Sequence, residues 1–424
     1  MREMKDSGVE WIGEIPKDWE SRKLFGLLSS VGSGTTPKGD EYYSSNGYPW
    51  LITGDLNDGY ISETSKFVTE DALRDCSALQ IHKAGSVVIA MYGATIGKLG
   101  ITEIDVTTNQ ACCVMNPSKG LEQRFLFYLL SAAKDYFIYS SYGAGQPNIS
   151  QNTIKQLKIP YTCIQEQKRI ADYLDSKCSQ IDAIIEKQQT IIEKLKEYKL
   201  SVINEAVTHG INPEVEMKDS GYKWIGDIPK HWNMVYAKQL FTQRKDRAYE
   251  EDEQLTSSQK YGIISQKEFM EIEGRQVMQV LKGEEILKHV EKGDFVISMR
   301  SFQGGLEYSE VSGKISSAYV MLIPNEAKVY DRYYKWLFKS KRYISALQGT
   351  SNLIRDGQAL RYSNFVQVYL PNFDMDEQKQ IADYLDKVCP KLDMEVEKRE
   401  KLLEKMYEYK KSLIYEVVTG KKEV

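Results

Sequence analysis

The sequence predicts an α+β protein in which two mixed α/β domains are separated by an antiparallel, coiled-coil-like pair of long helices with pseudo-two-fold symmetry. Two observations lead to this fold class. One large unit occurs twice within the 424 residues. Each copy begins with a segment rich in Gly, Ser, Thr and Tyr, and ends in a segment whose apolar residues recur at coiled-coil spacing.

The duplication is visible first in the opening peptide, MKDSGVEWIGEIPKDW at 4–19, which returns as MKDSGYKWIGDIPKHW at 217–232. A second pair, EQKRIADYLD at 166–175 and EQKQIADYLD at 377–386, lies at nearly the same offset. An offset of about 210 residues is far longer than the ~20–50 residues of a solenoid repeat, so it indicates duplication of one large unit. Because large aromatic residues usually serve cores and interfaces, we interpret each opening peptide, with its two tryptophans, as a structural clamp that joins a mixed domain to a helix.

The mixed segments contain short β-like runs, such as SVVIAMY at 86–92 and DFVISMR at 294–300. Their connecting stretches differ between the copies, whereas the helical segments agree. A similar framework with different loops is the pattern expected of a protein that reads two different sites.

The helical segments show a 4,3 alternation of mostly apolar residues, which predicts a coiled-coil seam. Both seams become polar at equivalent places, where Gln188 corresponds to Arg399 and Lys199 to Lys410. These polar residues either fix the register or extend from the seam to solvent, and the sequence leaves both open. The seam positions are 178, 181, 185, 188, 192, 195, 199, 202 and 206 in the first copy, and 389, 392, 396, 399, 403, 406, 410, 413 and 417 in the second.

The second helical segment contains Pro390, which removes a hydrogen bond inside a helix and clashes with the preceding turn. We therefore expect a short helix over 377–386, a break, and then a long helix. About 30 helical residues would extend ~45 Å. Because domain termini often lie close together, the second helix should begin where the first one ends, and the two should run antiparallel.

Composition excludes several classes of protein. No apolar run approaches the ~20 residues of a membrane span, and the first residues do not resemble a signal peptide, so a cytoplasmic protein is expected. The six cysteines show no C-x-x-C spacing and the four histidines lie far from them, so neither a zinc site nor a disulfide framework is predicted. With a net charge of −4, any nucleic-acid-binding surface must be local.

Known catalytic motifs are not evident. The chain lacks the Asp/Asn-Pro-Pro-aromatic tetrapeptide that an amino-methyltransferase needs, since Asn116-Pro117 is followed by Ser118. GATIGKL at 93–99 resembles a phosphate-binding loop, but its glycines are one residue too close and Leu99 replaces the required Ser or Thr. A tight turn between strands is the favoured interpretation, and no cofactor is predicted.

Several stretches together resemble the DNA specificity subunit of type I restriction-modification systems. They are GSGTTPKGDEYYSSNGYPWLITGDL, VVIAMYGATIGKLG, TTNQACCVMNP and IPYTCIQEQKRIADYLD in the first copy, and GDFVISMRSFQGGLEYS, GKISSAYVMLIP and YLPNFDMDEQKQIADYLD in the second. The resemblance implies a non-catalytic protein that reads a bipartite site on double-stranded DNA with one target recognition domain per half-site. It also implies that the helices hold two adenine-N6 methyltransferase subunits, and that restriction and translocase subunits join the full complex.

Base readout favours Arg, Asn and Gln, whereas Lys and backbone amides mostly hold phosphates, and Gly-rich loops allow close approach. In the first domain the stretches 33–39, 91–98 with 107–110, and 141–152 combine these features. They supply Lys38 and Lys98 for phosphates, Asn109, Gln110, Gln146, Asn148 and Gln151 for base edges, and Tyr92 for stacking or donation.

In the second domain the stretches 243–247, 299–305 and 348–361 fit. The residues at 299–305 come just after an apolar strand, as Tyr92 does in the first copy. They are therefore the strongest candidates. The residues are Arg300, Ser301 and Gln303, then Arg244, Lys245, Arg247, Arg355 and Arg361. For every candidate, an ordinary turn, cap or solvated charge is the competing interpretation, just as DNA contact is the less favoured role for the opening peptides.

The sequence thus predicts target recognition domains at 1–160 and 213–372 and helical spacers at 161–212 and 373–424. One alternative is the targeting subunit of a two-component DNA methyltransferase without a translocase. Another, from a different class, is a coiled-coil scaffold whose end domains bind proteins.

Overall fold

A computed structural model of the chain describes residues 2–140, 148–274, 286–350 and 360–424. The chain forms two compact units, each of which combines one mixed α/β domain with parts of both long helices. Unit 1 comprises Met1–Gln188 and Lys401–Val424, and unit 2 comprises Gln189–Glu400.

The mixed domain of unit 1 is built around a five-stranded sheet, in the order Leu28–Gly32 (β4), Cys112–Pro117 (β12), Val87–Ala90 (β9), Leu99–Thr102 (β10) and Gly59–Ile61 (β7). The predicted strand at 86–92 is confirmed as β9. The strands are β1 (Met4–Asp6), β2 (Glu14–Pro16), β3 (Glu20–Lys23), β4 (Leu28–Gly32), β5 (Tyr43–Ser44), β6 (Tyr48–Leu51), β7 (Gly59–Ile61), β8 (Phe67–Val68), β9 (Val87–Ala90), β10 (Leu99–Thr102), β11 (Thr107–Thr108), β12 (Cys112–Pro117) and β13 (Lys158–Tyr161). The helices are α1 (Glu70–Asp75), α2 (Gln123–Ala132), α3 (Lys134–Ser140), α4 (Gln151–Gln156) and the long α5 (Ile164–His209).

Unit 2 has a four-stranded main sheet, in the order Phe241–Arg244 (β17), Val320–Pro324 (β24), Phe295–Ile297 (β21) and Glu307–Tyr308 (β22). The predicted strand at 294–300 is confirmed as β21. The strands are β14 (Met217–Asp219), β15 (Asp227–Pro229), β16 (Asn233–Tyr236), β17 (Phe241–Arg244), β18 (Leu255–Ser258), β19 (Gly262–Ser265), β20 (Lys288–Val290), β21 (Phe295–Ile297), β22 (Glu307–Tyr308), β23 (Gly313–Ile315), β24 (Val320–Pro324) and β25 (Tyr369–Asn372). The helices are α6 (Gln266–Glu273), α7 (Ser301–Gly304), α8 (Asp331–Lys339), α9 (Lys341–Gly349), α10 (Tyr362–Phe365) and the long α11 (Met375–Val418).

The two mixed domains share a framework. In each, a central strand (β12 or β24) pairs antiparallel with both neighbours and is followed by an amphipathic helix (α2 or α8). The helix buries its apolar face on the sheet, in the same core that receives residues of the long helices. This confirms the predicted α+β fold class with two mixed domains and two long helices that pack together.

The long helices pack along the predicted seams, whose residues are buried or half-buried in both copies. At 46 and 44 residues they are longer than expected, since ~1.5 Å per residue gives ~69 and ~66 Å. The extra length arises because the EQK peptides are the first turns of α5 and α11, and not separate short helices.

The predicted break at Pro390 is wrong, because α11 continues through it. The physical reason lies in which face the proline occupies. Pro390 is exposed, so solvent can reach its ring and the hydrogen-bonding group that it leaves unpaired, while Leu385 and Cys389 beside it are fully buried. Apolar packing of the buried face thus outweighs the local cost of proline.

Within each unit the two helices run antiparallel, as predicted. In unit 1, Lys410 Nζ lies 2.6 Å from Asp182 Oδ1, while Arg2 bonds both Glu166 near the start of α5 and Glu423 beyond the end of α11. Residues later in α5 therefore meet residues earlier in α11, as antiparallel packing requires.

The same direction holds in unit 2. Lys196 pairs with Glu400 at 2.8 Å, and Lys199 pairs with the earlier Asp393 at 2.6 Å. The polar seam residues Lys199 and Lys410 thus make equivalent ion pairs across the helices, which favours a role in setting the register over simple extension to solvent.

The opening peptides form the hairpins β1–β2 and β14–β15, and both pack as the clamp interpretation requires. Trp19 and Trp232 are almost completely buried, each in a core that also contains residues of the long helices. In unit 1, the Tyr415 hydroxyl of α11 donates a 2.9 Å hydrogen bond to the carbonyl oxygen of Ile12. Because they are buried, the rings of Trp19 and Trp232 present no surface to DNA.

A glutamine that the sequence analysis did not single out joins each mixed domain to its helix. Gln167 is fully buried, donates to the carbonyl oxygens of Gly120 and Thr162, and accepts from the amide of Glu122. Gln378 makes the same three bonds, with Lys328, Phe373 and Tyr330. The signal that could have revealed them is the repeated E-Q-K peptide itself.

Among the helices of the described ranges, none combines the length and the apolar character that crossing a membrane demands.

Candidate nucleic-acid interface

Two candidate stretches of unit 1 leave the main sheet at the same end of its strands, which is called the sheet edge below. β4 and β9 both pair antiparallel with β12, so they point in the same direction and their C-terminal ends lie at the same end of the sheet, on either side of β12. The stretch 33–39 follows β4 and the stretch 91–98 follows β9. Topology therefore brings together loops that are separated by about 60 residues in the sequence.

Hydrogen bonds connect these loops with the other candidate stretches. The Thr36 hydroxyl donates to Gln110 Oε1 at 2.7 Å, and Gln151 Nε2 donates to Ser33 Oγ at 3.1 Å. Tyr92 forms an isolated antiparallel bridge with Asn148. The described parts of the predicted stretches of unit 1 thus form one connected surface.

Gly34 shows how closely the backbones approach on this surface. A Cβ atom at Gly34 would lie 1.7 Å from the carbonyl oxygen of Thr108, so no other residue fits there without movement of the backbone. Its amide also donates a 3.0 Å hydrogen bond to Thr108 Oγ1. The Gly-rich loop is therefore held rigidly against the stretch 107–110.

The individual candidates of unit 1 differ in accessibility. Lys38, Gln110 and Asn148 are exposed, whereas Tyr92, Lys98, Asn109 and Gln151 are half-buried. Asn109 accepts a hydrogen bond from the amide of Ala111, which is the ordinary turn role named as its alternative. Gln146 lies outside the described residues.

The GATIGKL stretch is a connection between two antiparallel strands. It joins β9 to β10, and both of its glycines have positive φ, +83° at Gly93 and +74° at Gly97. The interpretation as a tight turn between strands is confirmed.

Unit 2 repeats the arrangement with different side chains. β17 and β21 flank β24 and point in the same direction, so the stretches 243–247 and 299–305 leave the sheet at one edge. Arg300 and Gln303 are exposed there, and Ser301 is fully buried, with its hydroxyl accepting from the amide of Ser298.

Two glutamines outside the candidate list support the Arg300 loop. Gln259 Nε2 donates to the carbonyl oxygen of Arg300 at 3.3 Å, and Gln348 donates to that of Phe302. The second bond links the start of the stretch 348–361 to the stretch 299–305. Sequence offered no signal for Gln259, because its partner is 41 residues away.

The QRKDR stretch divides into a structural and an exposed part. Arg244 donates to both carboxylate oxygens of Asp294, at 2.5 and 3.0 Å, and to Asp246 at 3.0 Å, so its guanidinium is engaged within the domain. Lys245 and Arg247 are exposed. Arg361 is exposed just before α10, and Arg355 lies outside the described residues.

A buried histidine fixes the segment that follows QRKDR. His289 is 4 % exposed and lies between two carboxylates, with Nδ1 2.8 Å from Asp252 and Nε2 2.9 Å from Glu291. Burial lowers the pKa of His289, but the hydrogen bonds to Glu291 and Asp252 outweigh burial and the net pKa is raised. Since both ring nitrogens face carboxylates, the doubly protonated ring fits this site.

This histidine predicts a pH dependence of stability. A raised folded-state pKa means that the stabilisation is complete below the unfolded value of ~6.5 and is lost as pH rises through the folded value. We expect urea unfolding of the full chain to show lower stability at pH 9 than at pH 6, with His289 contributing to the difference. The measurement compares the unmodified chain with His289→Gln, which should lack that contribution. An identical pH dependence in both proteins would contradict the prediction.

Comparison with known proteins identifies relatives of this chain. The sequence profile described as "Type I restriction modification DNA specificity domain" matches residues 16–198 and 229–404, once in each copy. The chain is 34 % identical over 194 residues to the type I restriction enzyme MjaIX specificity subunit of Methanocaldococcus jannaschii, an alignment that covers 43 % of each protein. It is 27 % identical over 432 residues to the putative type I restriction enzyme MjaX specificity subunit of the same organism, covering 97 % of this chain and 95 % of the relative.

Solved structures show the same fold. One from a study of complex assembly and conformational transition of the type I R-M system aligns with a TM-score of 0.70, covering 95 % of this chain and 98 % of that chain at 13 % identity. The HsdS subunit from Thermoanaerobacter tengcongensis aligns with a TM-score of 0.54 and 13 % identity, covering 96 % and 98 %. At such identity the likeness concerns the fold alone.

Proposed function

Because this chain belongs to the family of DNA specificity subunits of type I restriction-modification systems, non-catalytic components of such complexes, we propose that each of its units reads one part of a bipartite DNA target. The observation that carries this proposal is the pair of equivalent sheet edges. Both edges are formed by the ends of two strands that flank a central strand, yet they present different side chains.

The chemistry of the two edges supports the assignment. The edge of unit 1 presents amide side chains and lysines, such as Gln110, Asn148 and Lys38, while that of unit 2 presents Arg300, Gln303 and Arg247. Amides suit adenine and arginine suits guanine in the major groove, so the two units would prefer different bases. An asymmetric target follows from that difference.

We further infer that the long helices dock two adenine-N6 methyltransferase subunits, with restriction and translocase subunits joining the complex. Identical partners require equivalent surfaces. Tyr198 of α5 and Tyr409 of α11 occupy equivalent repeat positions and are 56 % and 55 % exposed. Recurrence of an exposed aromatic residue in both copies suits two copies of one partner.

Three measurements test the proposal. Mapping of methylated adenines in the source genome should give a two-part motif, and a complex recovered through a tag on this chain should contain methyltransferase subunits. Binding to a duplex with that motif should fall when either half-site is scrambled and should weaken with salt as counterions are released. Equal affinity for random duplexes would refute DNA reading and favour a protein scaffold. The same recovered complex shows whether a translocase is present.

A further inference from the structure

A cluster of polar side chains, the polar joint of unit 1, connects the mixed domain to the first turns of α5. Arg124 of α2 donates to Asp172 at 2.8 Å and to Asp175 at 2.7 Å, and also bonds Glu122 at 3.0 Å. Tyr128, one turn further along α2, donates its hydroxyl to the other oxygen of Asp175 at 2.7 Å. Two residues of one helix thus hold two residues of another.

The polar joint of unit 2 repeats this arrangement at equivalent positions. Arg332 of α8 lies 2.9 Å from Asp383, and its Nε donates to Asp386 at 2.7 Å. Trp336 takes the place of Tyr128, and its Nε1 donates to the other oxygen of Asp386 at 2.8 Å. The fourth member has changed from a phenol to an indole, yet the hydrogen bond to the carboxylate is retained.

Each joint lies among the contacts that connect a sheet edge, where DNA reading is proposed, to a long helix. In unit 1, Val87 and Ile89 of β9 pack in one core with Leu126 of α2 and with Ile170 and Leu174 of α5. Apolar contacts tolerate small rotations, whereas hydrogen bonds shared between an arginine and two carboxylates are directional. The polar joint, together with the hydrogen bonds of Gln167 to Gly120 and Glu122, therefore supplies the directional contacts that can fix the angle between the domain and its helix.

The angle between a mixed domain and its helix matters because a small tilt of the domain displaces its sheet edge by several ångströms. Across a domain ~30 Å wide, a tilt of about 7° displaces the far edge by ~3.4 Å, the axial rise of one base pair. A reader that rejects a spacer one base pair too long must hold its domains more tightly than this.

We propose that the two polar joints hold each mixed domain at a fixed angle to its long helix, so that Arg124 and Arg332 are positioning residues that narrow the range of spacer lengths accepted between the half-sites. This inference rests on the proposed bipartite reading. The joints act on the distance between contacts and leave the preference for individual bases unchanged.

The test uses the complex recovered through a tag on this chain, with Arg124→Met, Arg332→Met and the double substitution. Methionine keeps the apolar stem, and the four aspartates remain accessible to water, at 68 % and 37 % exposed for Asp172 and Asp175 and 51 % and 36 % for Asp383 and Asp386. The mostly buried Glu122 loses its arginine in Arg124→Met but keeps the hydrogen bond from the amide of Phe125. Binding is measured by competition on duplexes with the native spacer and with one base pair more or fewer. We expect the double variant to lose at least tenfold of the discrimination between spacers, while discrimination against a changed base in either half-site stays the same.

Arg169→Met is the matched control. Arg169 is also an arginine near the start of α5, but among the described residues it pairs only with Glu166 of the same helix. It should discriminate spacers as the unmodified complex does. Tyr128→Phe removes a single hydroxyl and provides a milder variant, with a smaller relaxation expected, should the arginine variants fail to fold. Unchanged spacer discrimination in a folded joint variant would overturn the inference, as would parallel loss of spacer and base discrimination. A complex without any spacer preference before substitution would instead refute the bipartite reading itself.

Discussion

Replacing Trp232 with alanine is expected to lower the free energy of unfolding by about 3–5 kcal/mol, the range for a fully buried aromatic residue. Trp232 is completely buried, stacks on Phe373 with ring centroids 3.7 Å apart, and meets Tyr333 edge to face at 6.4 Å. Its Nε1 donates to Glu377 of α11 at 3.2 Å, so the substitution also removes a bond between the opening peptide and the helix. Urea unfolding of the full chain, followed by circular dichroism, measures the change.

Lys230→Ala is the matched control, two residues away in the same peptide. Lys230 is exposed and pairs with Glu216 on the surface, so its loss should change stability by less than about 0.5 kcal/mol. A loss below about 1 kcal/mol for Trp232→Ala would contradict the clamp interpretation. Reduced DNA binding by a variant of unchanged stability would favour the alternative, in which the opening peptide contacts DNA.

The framework of this fold could be predicted because its signals are local or repeated. Ile181, Ile185 and Leu413 lie at seam spacing, and that spacing alone identifies the buried face of each helix. The predicted break at Pro390 was wrong because its signal was local while the structure of α11 depends on packing elsewhere. Proline reports a local cost, whereas the continuity of α11 depends on apolar packing by residues on the opposite face of the helix.

The loops of the candidate interface could be proposed from the sequence, but neither their meeting at one end of the sheet nor the roles of their residues could. Sequence indicated the strands β9 and β21 that precede two of these loops, whereas β4 and β17, which flank the same central strands, were not predicted. Arg244 looked equivalent to Lys245 and Arg247, yet it is paired with Asp294, 50 residues away. Which charged side chain is free depends on such distant partners, and one sequence does not record them.

Comparison of the two copies separates the residues that hold each domain on its helix from the residues proposed to contact DNA. Gln167 and Gln378 keep the same three hydrogen bonds, and the polar joints keep their arginine and aspartates. The side chains at the sheet edges differ in type, as Tyr92 after β9 and Arg300 after β21 illustrate. Two copies that share this framework but differ in side chains at the sheet edges would, under the proposed function, keep one geometry and prefer different bases.

Substituting Arg300 with alanine should therefore weaken recognition of one half-site and leave the other unchanged. Arg300 is exposed at the end of the β21 loop, and among the described residues no acidic side chain pairs with its guanidinium. An arginine bound to guanine contributes about 1–3 kcal/mol of discrimination, which corresponds to roughly 5- to 150-fold in affinity. The measurement is competition binding of the recovered complex with duplexes that carry single base changes across both half-sites. The expected result is lost discrimination at one or two adjacent base pairs.

Asn148→Ala provides the reciprocal variant, because Asn148 is exposed at the edge of unit 1 and should affect only the other half-site. Arg74→Ala removes an exposed arginine of α1 that pairs with Asp71 and Asp75, so it controls for the loss of one positive charge and should leave both half-sites unaffected. The loop should remain folded in Arg300→Ala, since the bonds from Gln259 and to Ser298 involve only the backbone of residue 300. Equal loss at both half-sites would contradict the division of reading between the units, because a contact confined to one unit acts on one part of the target.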